Sequence, residues 1–289
     1  MQSINEEDIT AVAEERWSTA HDPRLAEIMS ALVRHLHDFA RTVGLTEPEW
    51  LAAIGWLRRT GQISDGKREE FILASDVLGL STLVVEMNQR FDAAATPATV
   101  LGPFHVDGSP MMDFGADMSE GAPGRPLFIV GTVRRPDGRP VADAVLDVWQ
   151  ADADGAYEAQ LDVDEARLRG KYTSTASGAY CLRTIAPLGY SIPMDGPVGE
   201  LISRTDISHY RPAHVHFLID VPGYERLVTH LFPQGAQYLD ADAVFGVKDR
   251  LVVHFERRAP GPTPDGHVCN VPWLIARYDF VLQPKIPSQ

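Results

Sequence analysis

Residues 126–150 read PLFIVGTVRRPDGRPVADAVLDVWQ. Two short runs rich in Val, Ile, Leu and Phe flank the turn RPDGRP at 135–140, whose Pro, Asp and Gly give a hairpin-type signal. Downstream the same texture continues in GKYTST (170–175), AYCLRTI (179–185), AHVHFLIDV (213–221), RLVTHLF (226–232), RLVVHFE (250–256) and IARYDFVL (275–282). Many short strands separated by Gly, Pro and Asp predict a β-sandwich or barrel.

Upstream of that region the period changes. In HDPRLAEIMSALVRHLHDFARTVG (21–44), Leu25, Ile28, Met29, Leu32, Leu36, Phe39 and Val43 recur at three- and four-residue steps, the stripe of an amphipathic helix. Asp22 is placed to cap it, Pro23 to open it and Gly44 to stop it. TEPEWLAAIGWLRRTG (46–61) opens with Thr46 and Glu49 in capping-box spacing and closes at Gly61, and a third helical stretch runs from about Lys67 to Phe91 with a bend at Gly79. The breaker-rich segment 93–110 separates the halves. The expected fold is therefore α+β and mainly β, with a helical domain at 1–100 packed on a β-sandwich at 101–289.

The 289 residues carry 26 Lys+Arg against 40 Asp+Glu, a net charge of −14. That balance argues against nucleic acid or an anionic membrane as main partner. The acidic N-terminus lacks an apolar run and no stretch reaches a membrane-span length, so a soluble cytoplasmic protein is expected. Cys181 and Cys269 are the only cysteines and have no CxxC spacing, so any metal must be held by nitrogen and oxygen.

His214 and His216 stand one residue apart on a predicted strand and share a face. Alone, an HxH pair reads more readily as solvent-facing or satisfied histidines than as a metal site. Tyr157, after the Gly/Asp-rich turn DADGA, and Tyr190, which starts the irregular loop YSIPMDGPVGELI, add two phenols. A phenolate is an anionic oxygen donor suited to ferric iron. Two phenolates and two imidazoles would hold Fe(III), whereas calcium or magnesium would call for carboxylates.

DVWQADADGAY (147–157), YSIPMDGPVG (190–199), RPAHVHF (211–217) and YLDADAVFGVKDRLVVHF (238–255) resemble segments of the intradiol ring-cleaving dioxygenases. EFILASDVLGLSTLV (70–84) and LGPFHV (101–106) look like the catechol-cleaving branch, which adds an N-terminal helical domain. RHLHDFAR (34–41), RTGQISDGKREEFILASDVLG (59–79) and VTHLF (228–232) look most like its hydroxyquinol-cleaving members. The resemblance implies Tyr157, Tyr190, His214 and His216 as ligands of Fe(3+), with Tyr190 leaving the metal when substrate chelates it. It implies Arg211 facing the ring, and Leu73, Asp76, Val100, Leu101, Gly102, Ile192 and Pro193 lining the substrate pocket, residues equally compatible with a core role. His230 stands near the position of a glutamine in catechol-cleaving members, which fits a ring with an extra hydroxyl. His105 and the remaining histidines read as structural or surface residues.

The implied reaction consumes hydroxyquinol (benzene-1,2,4-triol) and O2, breaks the bond between the two hydroxyl-bearing carbons, and yields 3-hydroxy-cis,cis-muconate, the tautomer of maleylacetate. Catechol or a substituted catechol is the alternative substrate. The family further implies a homodimer through the helical domain, with lipid between its helices. A reading from a different class also stands: GTVRRPDGRPVADAVLDVWQ (131–150) looks like the hairpin of transthyretin-like binding modules, which hold no metal.

Overall fold

The computed structural model describes residues 4–65, 68–89, 91–158 and 166–285. Its chain resolves into two compact units, Met1–Arg59 and Thr60–Gln289.

In the first unit, α1 (Ile9–Ser18) packs along α2 (Pro23–Val43). Asp22 accepts a hydrogen bond from the Arg24 amide, Pro23 opens α2, and Gly44 closes it with φ +59°. Polar contacts help join the two helices: Arg34 Nε donates to Glu14, Thr10 Oγ1 meets His37 Nδ1, and Arg41 reaches Thr10. The α2 stripe stays exposed at Leu25, Ile28, Leu32, Leu36, Phe39 and Val43, while Met29 is half-buried. Next comes α3 (Glu47–Ile63), where Thr46 donates from its amide and hydroxyl to Glu49, completing the expected capping box.

The third helical stretch is two helices, α4 (Glu70–Val77) and α5 (Leu80–Asn88). Gly79, at φ +72°, adopts the left-handed conformation that separates them. Of the expected stretch, Lys67 and Arg90 lie outside the described residues. Both helices fall in the compact unit of the sandwich, whereas the boundary expected from sequence lay at residue 100. Val85 packs against the sandwich core, and Thr82 donates to the Val244 carbonyl.

The strands are β1 (Pro126–Arg134), β2 (Val145–Trp149), β3 (Arg169–Thr173), β4 (Ala179–Ile185), β5 (Tyr190–Ser191), β6 (Tyr210–Arg211) and β7 (Val215–Asp220). They continue with β8 (Leu227–Pro233), β9 (Val252–Val253), β10 (Glu256–Arg258), β11 (Gly261–Pro262), β12 (Val268–Cys269), β13 (Trp273–Arg277) and β14 (Phe280–Val281). A short helix, α6 (Pro197–Ile202), lies between β5 and β6.

In one sheet β1 is central, antiparallel to β4 and parallel first to β13, then to β14; β10 pairs with β13. At the switch from β13 to β14, the Tyr278 carbonyl comes so close to Gly131 that a Cβ there would lie 1.7 Å from its oxygen. The other sheet runs β3-β2-β7-β8-β9. The turn RPDGRP does close a hairpin: the Arg135 amide donates to Arg139 O, and the Val141 amide to Val133 O. After that tip the chain leaves its first sheet, because β2 pairs with β3 and β7 instead of β1.

Alternation then sorts the side chains. Leu127, Ile129, Leu146, Val148, Val215, Phe217, Ile219 and Leu231 fill the space between the sheets. Each such burial contributes about 1.5–3 kcal/mol. On β7 the intervening residue His216 must therefore face outward, away from that core. No helix among the described residues is long and apolar enough to cross a membrane.

Candidate active site

The outward face of β2, β7 and β8 should be wet by the alternation rule, yet its histidines are buried. Register explains their meeting: Trp149 of β2 lies opposite His216, which lies opposite His230 of β8. His216 is stacked by Trp149 at 4.6 Å and touches the His230 ring at 4.2 Å. The short ribbon of β5 and β6, pairing Tyr190 with Arg211, and the loop bearing Tyr157 cover the face.

Tyr157 is placed by its turn. Asp152 Oδ1 accepts from the amides of Asp154 and Ala156, and the Gly155 amide returns to Asp152 O. Gly155 has φ +83°, and a Cβ there would lie 2.8 Å from Cβ of Tyr190. Any larger residue would push the two tyrosines apart. Their rings lie edge to face at 5.3 Å, with Phe104 stacked on Tyr157 at 4.6 Å.

Three donor atoms converge. The Tyr157 hydroxyl lies 3.1 Å from His214 Nε2 and 2.9 Å from His216 Nε2, and the two Nε2 atoms are 3.0 Å apart. His214 Nδ1 is 2.7 Å from the Pro212 carbonyl, which can only accept, so Nδ1 carries the proton and Nε2 keeps its lone pair. That lone pair points into the cluster. Separations near 3 Å are those of atoms sharing one cation at bond lengths of about 2.1 Å. The Tyr190 ring completes the group, 5.7 Å from His214.

The electrostatics favour the same use. Burial, reinforced by the Arg211 charge, drives His214 well below the usual imidazole range; burial does the same to His216 and His230, so all three are neutral. Neutral imidazole is the ligating form. Burial also pushes the Tyr157 phenol well up, with Tyr190 adding to the effect. A phenol so placed ionises when a cation compensates the buried charge. Burial works against the Arg211 charge, but Asp242 at 3.1 Å outweighs it and holds the guanidinium protonated. Arg211 Nη1 stands 3.2 Å from His214 Nε2, so a positive charge already faces the cluster. These donors fit a metal that tolerates both nitrogen and anionic oxygen, such as iron. His214, His216 and His230 also form a buried histidine triad able to hold a metal.

A cavity of about 730 Å³ adjoins this cluster, lined in part by Asp76, Val100, Leu101, Gly102 and His105. Gly102 connects the two, since a Cβ on it would be 3.5 Å from His216 Cε1. Leu73, Ile192 and Pro193 are not among its lining residues; Leu73 and Ile192 are buried and Pro193 is half-buried. Asp76 is buried with Oδ1 unpartnered, and burial raises its carboxyl to about 6. His230 Nδ1 meets Thr99 Oγ1 at 2.6 Å, leaving its Nε2 buried without a partner.

Several residues of the site carry no local signal. Asp242 and Thr99 serve it from segments distant in sequence, and only tertiary contact reveals them. Trp149 was open to inference, because it alternates outward on the same strand run as Asp147. His105, expected to be structural or surface, lines the cavity and packs edge-on against Trp149.

Residues 100–284 match the family model described as Dioxygenase, and residues 22–96 match Catechol dioxygenase N terminus. A hydroxyquinol 1,2-dioxygenase of Nocardioides simplex is 46% identical over 284 residues, 98% of this chain and 97% of that protein. A 6-chlorohydroxyquinol 1,2-dioxygenase of Cupriavidus pinatubonensis is 47% identical over 287 residues, 99% of this chain and 100% of that protein. Among solved structures, hydroxyquinol 1,2-dioxygenase from Pseudomonas putida DLL-E4 superposes with a TM-score of 0.89 at 45% identity, covering 97% of this chain and 99% of that one.

Proposed function

The chain belongs to the intradiol ring-cleaving dioxygenases, and from that premise we propose that it opens the ring of hydroxyquinol with O2 at a ferric centre. The observation that carries the substrate choice is Asp76: a buried carboxylate with one oxygen unpartnered, on the wall of the cavity beside the Tyr/His cluster. A catechol ring has nothing to offer that oxygen, whereas the third hydroxyl of hydroxyquinol donates to it. Leaving it unmet is unfavourable by about 1–3 kcal/mol. The relatives named for hydroxyquinol and chlorohydroxyquinol cleavage support the same reading. Family membership and the buried donor cluster leave the metal-free binding module without support.

Tyr157, Tyr190, His214 and His216 are the residues that would hold the iron. When bound, it supplies Lewis acidity toward the two adjacent ring oxygens and a route for their charge toward O2. The Tyr190 oxygen takes one substrate proton as the diol binds; Gly155 lets the Tyr157 turn approach the Tyr190 Cβ closely. Arg211 stabilises negative charge developing on the ring, and Asp242 fixes its guanidinium in a site closed to water. His230, held by Thr99, offers Nε2 to a substrate oxygen. Leu73, Val100, Leu101, Gly102, Ile192 and Pro193 are proposed as the apolar frame that orients the ring. The product is 3-hydroxy-cis,cis-muconate, in tautomeric balance with maleylacetate.

The exposed α2 stripe supports a homodimer through the helical residues, with lipid between the helices as part of the same proposal. A cytoplasmic location is part of the same proposal. Oxygen uptake tests the substrate: kcat/KM for hydroxyquinol is expected to exceed that for catechol by at least about tenfold. A clear preference for catechol would replace the reading with catechol cleavage.

A further inference from the structure

Asp76, on α4, lines the cavity with Leu73 of the same helix behind it, while Ile192 and Pro193 lie outside that lining and follow directly from the Tyr190 strand, so two separate segments frame the proposed substrate pocket. An ionic brace, buried at Glu70 and reaching the surface at Asp195, ties those segments together. Glu70, 1% exposed, opens α4. Its Oε1 accepts the amide hydrogen of Val198 at 3.0 Å, in the first turn of α6. Its Oε2 accepts from Nε and Nη2 of Arg68 at 3.0 and 2.9 Å. Arg68 in turn binds Asp195 on the loop before α6: Nη1 donates to Oδ2 at 3.0 Å, and Nη2 lies 2.9 Å from Oδ1. Arg68 lowers the Asp195 carboxyl accordingly.

Each position is shaped for this. Asp65 accepts the Arg68 amide and donates its own amide to Arg68 O, and the Ser64 hydroxyl accepts the Glu70 amide. The turn thereby presents both side chains toward the loop. On the opposite side, a Cβ at Gly196 would stand 2.4 Å from Glu70 Oε1 and 2.5 Å from Arg68 Nη2. Only the absence of a side chain lets the loop approach so closely. The same loop starts at Ile192, whose amide is fixed to His209 O beside the Tyr190–Arg211 pair.

We propose that Glu70, Arg68 and Asp195 are positioning residues that lock the α4 wall to the Tyr190–Pro193 wall and so set the width of the substrate pocket. None of the three is among the lining residues of the cavity; they act through Asp76 and the loop. A fixed gap matters for a flat ring, because a wall displaced by about 1 Å forfeits a large part of orientation. Truncating Glu70 would leave the Val198 amide unpaired inside the protein and Arg68 held by Asp195 alone, so the informative variant is Glu70→Gln. Its amide oxygen keeps the Val198 bond while the charge holding Arg68 is gone.

The inference rests on the proposed ring-cleaving function, and two readouts separate their fates. In Glu70→Gln and in Asp195→Asn, KM for hydroxyquinol is expected to rise about tenfold, with kcat changing less than about threefold. Iron content and the tyrosinate absorption should stay at wild-type values. Amide hydrogen exchange should quicken in both α4 and 192–202 while β1, β4 and β7 stay protected. An unchanged KM beside a lowered melting temperature would overturn the proposal and leave the brace a stability element alone. Exchange that quickens in only one of the two segments would overturn it as well. Should the wild-type enzyme prove inactive on hydroxyquinol, the substrate reading falls, and the exchange pattern still decides the brace.

Discussion

The two ends of the chain invert the usual sorting of side chains. Along α2 a row of large apolar residues faces outward, with Leu36 and Phe39 more than half exposed, while polar pairs join the helix to α1. On and over the outer face of the β2-β7-β8 sheet, Arg211, Asp76 and three histidines are buried, and the Asp242 carboxylate is shielded with them. Either arrangement alone is unfavourable by the ordinary rules of burial. Each fits one of the proposed partners: an apolar surface against the helix, and a cation with a polar ring against the sheet.

The largest effect is expected at Tyr190. Tyr190→Phe leaves three donors for iron but removes the oxygen that takes a substrate proton. Turnover is expected to fall by roughly a thousandfold with iron retained, checked by steady-state kinetics beside metal analysis. Unchanged turnover would remove Tyr190 from the chemistry. The opposite face is broken by Phe39→Glu, which sets a charge in the middle of the α2 stripe. A homodimer there should dissociate with a constant about a hundredfold higher in analytical ultracentrifugation. An unaffected assembly would place the dimer contact elsewhere.

The smallest effect sharpens the buried-polar side. Asp76, raised to about 6 chiefly by burial, binds its proton more tightly in the folded than in the unfolded chain. Its contribution is therefore present at low pH and is lost as pH rises from about 4 through 6. In metal-free protein, Asp76→Asn should match wild type near pH 4 and exceed it by about 2 kcal/mol at pH 7 in denaturant unfolding. A pH-independent difference between the two would show that ionisation of Asp76 is not what burial opposes.

What could be read from sequence was whatever is local. Asp22, Pro23, Gly44 and the Thr46–Glu49 box act within one turn of helix, and the strand runs follow from alternation. His214 and His216 share a face for the same reason. The capture of Tyr157 beside them came from a resemblance, because 57 residues separate Tyr157 from His214 in the chain. The hairpin at RPDGRP formed, yet its flanking strands joined different sheets: turn chemistry specifies a reversal, whereas long-range packing chooses the partner. Asp242, Thr99 and the Glu70–Arg68–Asp195 brace are tertiary through and through. Gly79 was legible as a bend, and the structure makes it a full break because its φ is positive.

The most direct test of the account is the visible spectrum of the concentrated protein after anaerobic iron loading, reoxidation and removal of free metal. Tyr157 and Tyr190 bound to Fe(III) predict a red to purple charge-transfer band with about one iron per chain, and a weaker, shifted band in Tyr190→Phe. A colourless, iron-free protein after loading would contradict the assignment of these four residues as a ferric centre.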